Sequence, residues 1–191
     1  CLDGPVVSQY ARYMSRMLRG DLGRSYYTGR PIVSELAERA PATIELATSA
    51  MLIAVLVGIP LGILAGSKPR GKLGKLAMSL SLFGISLPSF WLGFMLIMIF
   101  GVWLGWLPVS GRGATVQVFG AEWSLLTFDG WRHMLLPACT LAAYHLAMLM
   151  RLARSEMAEA LAKPFIRVAR ARGIGEASIV GRHALRNTLI P

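Results

Sequence analysis

The sequence predicts an all-α, polytopic transmembrane helix bundle with about three complete spans in its 191 residues. Three observations carry that prediction. Hydrophobic residues make up 54% of the chain and charged residues only 16%, against roughly 45–50% and about 25% in ordinary soluble domains. The apolar residues gather into runs of the length a bilayer-crossing helix needs, ~20 residues. The basic residues behind the formal net charge of +10 cluster between and after those runs. The same composition excludes disorder, and no repeat marks a low-complexity chain. Cys1 and Cys139 lie far apart in the sequence and mark neither a disulfide framework nor a metal site.

Residues 1–40 form the first element, a helical segment outside the spans. Tyr10, Tyr13, Met14, Met17 and Leu18 recur at helical spacing, with Arg12, Arg16 and Arg19 elsewhere around the wheel. Gly20-Asp21-Leu22-Gly23 should end that helix, and Pro31 and Pro41 suit the first turns of the next two. Packing against the spans is the expected place for this helix, with the membrane surface second.

The spans follow within residues 41–155. No charge occurs from Leu46 to Ser67, which predicts a span over about 43–67. None occurs from Leu76 to Gly111; at ~1.5 Å per residue that run would reach about 54 Å as one helix, too long for a ~30 Å core. Gly84-Ile85-Ser86-Leu87-Pro88-Ser89 breaks it, since proline lacks a donor and clashes with the turn before it. The result is one broken span over about 74–106, with a re-entrant hairpin as the alternative, ending in the interfacial aromatics Trp103 and Trp106. Ser86, Pro88 and Ser89 are pathway candidates, because irregular backbone at membrane depth is tolerated where it faces protein or water; a plain kink in a lipid-facing helix is the simpler reading. A third span covers about 134–154, whose only residue before Arg151 able to carry a positive charge is His145.

Charge orients these spans. The linker after Ser67 carries Lys68, Arg70, Lys72 and Lys75 and no acid, and 156–191 is also rich in arginine. Both belong in the cytoplasm by the positive-inside rule. The loop 107–133 balances Arg112 and Arg132 against Glu122 and Asp129, which suits the outer side. The arginines of the first 40 residues conflict with an outer location, softened by nearby acids and by their distance from Leu46.

Enzymatic chemistry has no constellation here. His133, His145 and His183 lack metal-ligand spacing, and no serine sits in a nucleophile elbow. Gly173-Ile174-Gly175 is not followed by the Lys-Ser or Lys-Thr of a phosphate loop. No Asp, Glu, Lys or Arg falls near mid-span, which disfavours a proton relay. Glu45, near the outer end of the first span, reads as an interface marker.

The segment 156–191 carries the function. Pro164 fits the first turn of a short helix, Gly173 its left-handed stop, and Glu176 the start of another. Small residues at 169, 171 and 173 among arginines suit a helix that enters a partner's groove, with Ala169 facing it. A basic loop on anionic lipid is the competing reading. Nucleic acid is a poorer one, since no recognition fold accompanies the charge.

This segment resembles the cytoplasmic coupling loop of ATP-binding-cassette importer permeases, whose motif runs Glu-Ala-Ala, three residues, Gly, nine residues, Ile-x-Leu-Pro. Ala169, Gly173 and Leu185 match, while Arg167, Val168, His183 and Arg186 depart from it. Those departures resemble the dipeptide, oligopeptide and nickel (B-type) permeases, as do Gly20–Ser25, Arg39–Leu46, Gly84–Gly93, Leu104–Pro108 and Leu135–Ala138, in order. The resemblance implies a type I importer-like fold and a multi-pass subunit of the bacterial inner membrane. It implies coupling to ATPases through Phe165, Val168, Ala169, Arg170, Ala171, Gly173 and Leu185. The implied partners are a second permease subunit, two ATPase subunits, a periplasmic or lipid-anchored solute-binding protein and membrane lipid. ATP and magnesium would sit on the ATPases, with no cofactor, metal or catalytic residue on this chain. The solute would be a peptide or related small molecule, and the chain a fragment missing spans at both ends. A channel or secondary-transporter fragment working without an ATPase is the alternative.

Overall fold

A computed structural model describes residues 5–68, 71–118 and 120–184. Helix α1 (Val6–Leu18) ends where Gly20 and Gly23 take φ of +81°, and the Asp21 carboxylate accepts from the Gly23 N–H at 2.9 Å. The chain then folds tightly back: Arg24 bridges Pro31, and the Ile32 N–H donates to Gly23 O at 3.0 Å. No residue of α1 is buried. Its expected packing on the spans is therefore not found among the described residues.

That span, α2, runs unbroken over Ile32–Ser67, 36 residues. Pro31 precedes it as expected, but Pro41 lies buried inside it and starts no separate helix. Loss of one N–H is tolerable where the surrounding turns stay paired. Pro60 is accommodated differently, by a widened turn of i→i+5 bonds over Ala54–Gly58 just before it.

The second apolar run breaks where proline dictates. Helices α3 (Lys72–Ser86) and α4 (Ser89–Trp103) meet at 110°. Leu87, restricted by the proline ring that follows, adopts extended φ/ψ of −82° and 131°. Ideal Cβ positions at Gly84 and Gly93 would lie 3.0 Å from Ala147 Cβ and 3.3 Å from Thr140 Cγ2. Both halves therefore pack along the third span, and the 110° bend fits a broken span and a re-entrant loop alike.

Outside the spans, Val116–Val118 (β1) and Ala121–Trp123 (β2) form a small antiparallel hairpin, with Gln117 opposite Glu122. It is a minor β addition to an otherwise helical chain. The third span, α5 (Phe128–Ala162), is 35 residues long and exceeds the predicted 134–154 at both ends. Thr127 caps it by accepting from the Gly130 N–H at 2.9 Å. At the far end it absorbs Glu156–Ala162, the start of the segment expected to be separate.

The core is the seam between α2 and α5, which run parallel. Ala50 and Ala54 pack on Ala142. Below them Gly58, Gly62 and Gly66, spaced by four, meet the α5 backbone directly. A Cβ at Gly62 would lie 2.5 Å from Met150 O and 2.7 Å from Ala153 Cβ, and one at Gly58 2.8 Å from Leu146 O. Such small-xxx-small stripes let membrane helices approach closely where no hydrophobic driving force exists between them. Gly62→Ala should therefore cost about 1–3 kcal/mol by overpacking, read as a lower thermal midpoint of the purified full-length protein. Gly175→Ala, where an added Cβ meets nothing within 4 Å, should leave the midpoint in place.

Candidate functional site

The segment after α5 folds into a short, rigid, two-faced helix. Lys163 is extended (ψ 147°), and Pro164 opens helix α6, Pro164–Ala171, at its first position. Gly173 closes it at φ +76°. The Gly173 N–H donates to Arg170 O at 2.9 Å and the Ile174 N–H to Ala169 O at 3.2 Å. This pair of bonds defines a Schellman cap, completed by the usual apolar contact across it, Ile174 near Ala169. The next element, α7, opens at Glu176–Ser178 and continues in wider turns over Ile179–Ala184. The Glu176 carboxylate accepts from Arg170 Nε at 2.6 Å and Nη2 at 3.2 Å. That guanidinium holds the Glu176 carboxyl below the usual carboxylate range, with the hydrogen bond the larger cause.

The predicted coupling residues separate by face. Ile166 is fully buried and Ala169 is 9% exposed, both packed with Ile179. Ala169 thus faces its own chain, a correction to the expectation that it fills a partner's groove: at the third position from the cap it must meet Ile174. Val168 and Ala171 lie exposed on the opposite face, between Arg167 and Arg172, and Phe165 is exposed at its edge. Arg170 serves the turn through Glu176, and Gly173 supplies its shape. Leu185 lies outside the described residues. Ser86, Pro88 and Ser89 are all exposed at the α3–α4 break. Cavities of about 720 and 410 Å3 flank that break, lined by Ile85 on one side and Gly93 on the other, and by none of those three residues.

A second cluster went unread in the sequence. Glu45 is not an interface marker but fully buried. Its carboxylate accepts from Ser124 N–H at 2.6 Å, Ser124 Oγ at 2.7 Å, Leu125 N–H at 2.9 Å and Arg112 Nη2 at 3.1 Å. Arg112 donates onward to Glu122 O at 2.6 Å. A buried carboxylate is tolerable only when paired and hydrogen-bonded in this way. The result binds the outer loop to the top of α2. The missed signal is an arginine of the loop, Arg112, able to reach the acid at the end of the first charge-free run; the missed signal for the seam is Gly58, Gly62 and Gly66 at intervals of four.

Fold and site together define a polytopic membrane protein with a rigid two-faced helix at its basic end. The chain belongs to the family of binding-protein-dependent transport system inner membrane components, whose family model matches residues 58–191. It is 38% identical to the di/tripeptide transport system permease protein DppB of Pseudomonas aeruginosa, over 100% of this chain and 60% of that protein. It is 42% identical to a probable D,D-dipeptide transport system permease protein, DdpB, of Escherichia coli, again over 100% and 60%. The glutathione transport system permease protein GsiC of Escherichia coli is 36% identical, over 100% of this chain and 57% of GsiC. The chain thus spans about 60% of the length of these relatives.

Breaking the Glu45 cluster tests its weight. Glu45→Ala should destabilise the full-length protein by roughly 3–5 kcal/mol, and Ser124→Ala by about 1.5–3 kcal/mol. The double variant should cost clearly less than their sum in denaturant or thermal unfolding. Strict additivity would mean that the two residues act apart.

Proposed function

We propose that the full protein is the membrane-spanning permease subunit of an ATP-binding-cassette importer, moving a peptide or related small solute across the bacterial inner membrane. The observation that carries this is α6: its inner face is locked by Ile166, Ala169 and the Gly173 cap, while Phe165 and Val168 stay exposed at 42% and 52%. A helix pinned on one side and apolar on the other is built to transmit force from a partner seated on it. The relatives named for di/tripeptide, D,D-dipeptide and glutathione transport support the solute class.

In this reading a second permease subunit completes the solute path, and the exposed break at Ser86, Pro88 and Ser89 contributes to it. Two ATPase subunits bind and hydrolyse ATP with magnesium; a periplasmic or lipid-anchored binding protein delivers solute. Closure of the ATPases displaces α6, and α5, continuous through Ala162 and joined to α6 by Lys163 alone, carries the motion into the membrane. The chemistry stays on the partners; this chain supplies a coupled conformational equilibrium. A transporter working without an ATPase would leave the outer face of α6 without a role.

Two experiments test it in the full-length protein. Val168→Asp should weaken ATPase co-purification more than ~tenfold, the effect of at least about 1.4 kcal/mol of charge desolvation, and abolish uptake, with the permease's own thermal midpoint unchanged. Ala169→Asp should lower that midpoint as well, because its charge enters this chain's own core. Retained ATPase binding and uptake in Val168→Asp would sink the docking-helix assignment. For orientation, single cysteines replacing Lys72 and Ser178 should resist an impermeant thiol reagent in intact cells, and one replacing Thr115 should react, in a background without Cys1 and Cys139. Labelling at position 72 from outside would reverse the topology.

A further inference from the structure

The α3–α5 cleft, of about 720 Å3, opens beside the end of α5 read above as cytoplasmic. Its polar wall is made by Arg151, Arg154, Ser155 and Tyr144, its apolar wall chiefly by Met78 and Leu152. Arg151, Arg154 and Ser155 share one face of α5, at i, i+3 and i+4. Neither guanidinium has a carboxylate within ion-pair distance among the described residues. Arg154 Nη1 instead lies 3.0 Å from Met78 Sδ, a weak acceptor. Two cations share one cleft, at the level where the charge-free run of α5 ends, and no acid among the described residues pairs with either.

We infer that this cleft binds the phosphate of an anionic inner-leaflet phospholipid. Arg151 and Arg154 pair with the phosphate oxygens through their planar forks, the Ser155 hydroxyl donates to the headgroup, and an acyl chain lies along Met78 and Leu152. Three arguments select this occupant. Basic pockets between membrane helices on the cytoplasmic side are suited to anionic headgroups, and arginine's geometry matches phosphate bidentately. The cleft joins a cationic mouth to an apolar wall, the polarity of a phospholipid. A zwitterionic peptide would also bring an ammonium, and no acid lines the cleft. The inference needs only that the chain spans a bilayer with this end of α5 on the cytoplasmic side, so it stands or falls separately from the importer reading.

The test is lipid retention by the full-length protein with its partner subunits, purified from membranes containing phosphatidylethanolamine, phosphatidylglycerol and cardiolipin and read by native mass spectrometry. The wild type should retain phosphatidylglycerol or cardiolipin in preference to phosphatidylethanolamine. Arg151→Gln with Arg154→Gln should reduce that retention by about an order of magnitude, the effect of two lost surface charges. Arg151→Lys with Arg154→Lys, which keeps the charge but not the fork, should restore part of it, and that separates lost charge from failed folding. Arg167→Gln with Arg172→Gln, on α6, should leave it unchanged. Undiminished anionic lipid in the glutamine pair would overturn the site. So would loss of the second permease subunit with lipid unchanged, which would assign the arginines to a protein interface. A change only in the solute concentration giving half-maximal uptake would assign them to the solute instead.

Discussion

The close approach of α2 to α5 is the constraint on which the rest of the molecule depends. Lipid is as apolar as leucine, so two spans gain little from hydrophobic burial against each other and must instead gain from contact. Gly58, Gly62 and Gly66 carry no side chain into the seam along two turns, so the α5 backbone approaches them directly. The stripe continues upward through Ala54 and Ser49, whose hydroxyl reaches Met134 Sδ at 3.4 Å, to Glu45. Apolar contact below and a hydrogen-bonded charge above thus belong to one face of one helix.

The upper end of the stripe organises the outer loop. Glu45 gathers two backbone N–H groups, a hydroxyl and a guanidinium from residues 112–125. Thr127 then accepts from Gly130, and its hydroxyl donates to Ala114 O at 2.7 Å. The first turn of α5 is therefore stitched to the loop before it. A buried pair of this kind contributes less net stability than its bond count implies, because both charges are taken from water. Its effect is to fix register: α2, the hairpin and the start of α5 have one arrangement in which the carboxylate is satisfied.

The lower end sets α6. Helix α5 does not stop where its charge-free run ends but continues to Ala162, and one extended residue joins it to α6. The inner face of α6 is fastened by Ile166 and Ala169 against Ile179, and the Gly173 cap fixes the turn that brings Ile179 there. One face of α6 is thus closed by contacts within its own chain, and the other is left open to solvent. The eight residues of α6 divide along that line.

Much of this was legible in the sequence because local chemistry determines it. Charge-free runs mark spans, Pro88 breaks the second, Pro164 opens α6 and Gly173 closes it, each by a backbone restriction acting within a few residues. What only the tertiary structure decided is which side of each helix meets what. Ala169 had the size and setting of an outward contact and turned inward, since Ile174 and Ile179 arrive there from beyond the cap. Pro41 had the look of a helix start and became an interior residue, its helix held together by α5 alongside. Glu45 bordered an apolar run and became its most heavily hydrogen-bonded side chain, because its four donors come from Arg112, Ser124 and Leu125, some 67–80 positions away. A sequence pattern records the side chain's own chemistry; burial is set by partners distant along the chain, and only folding brings them together.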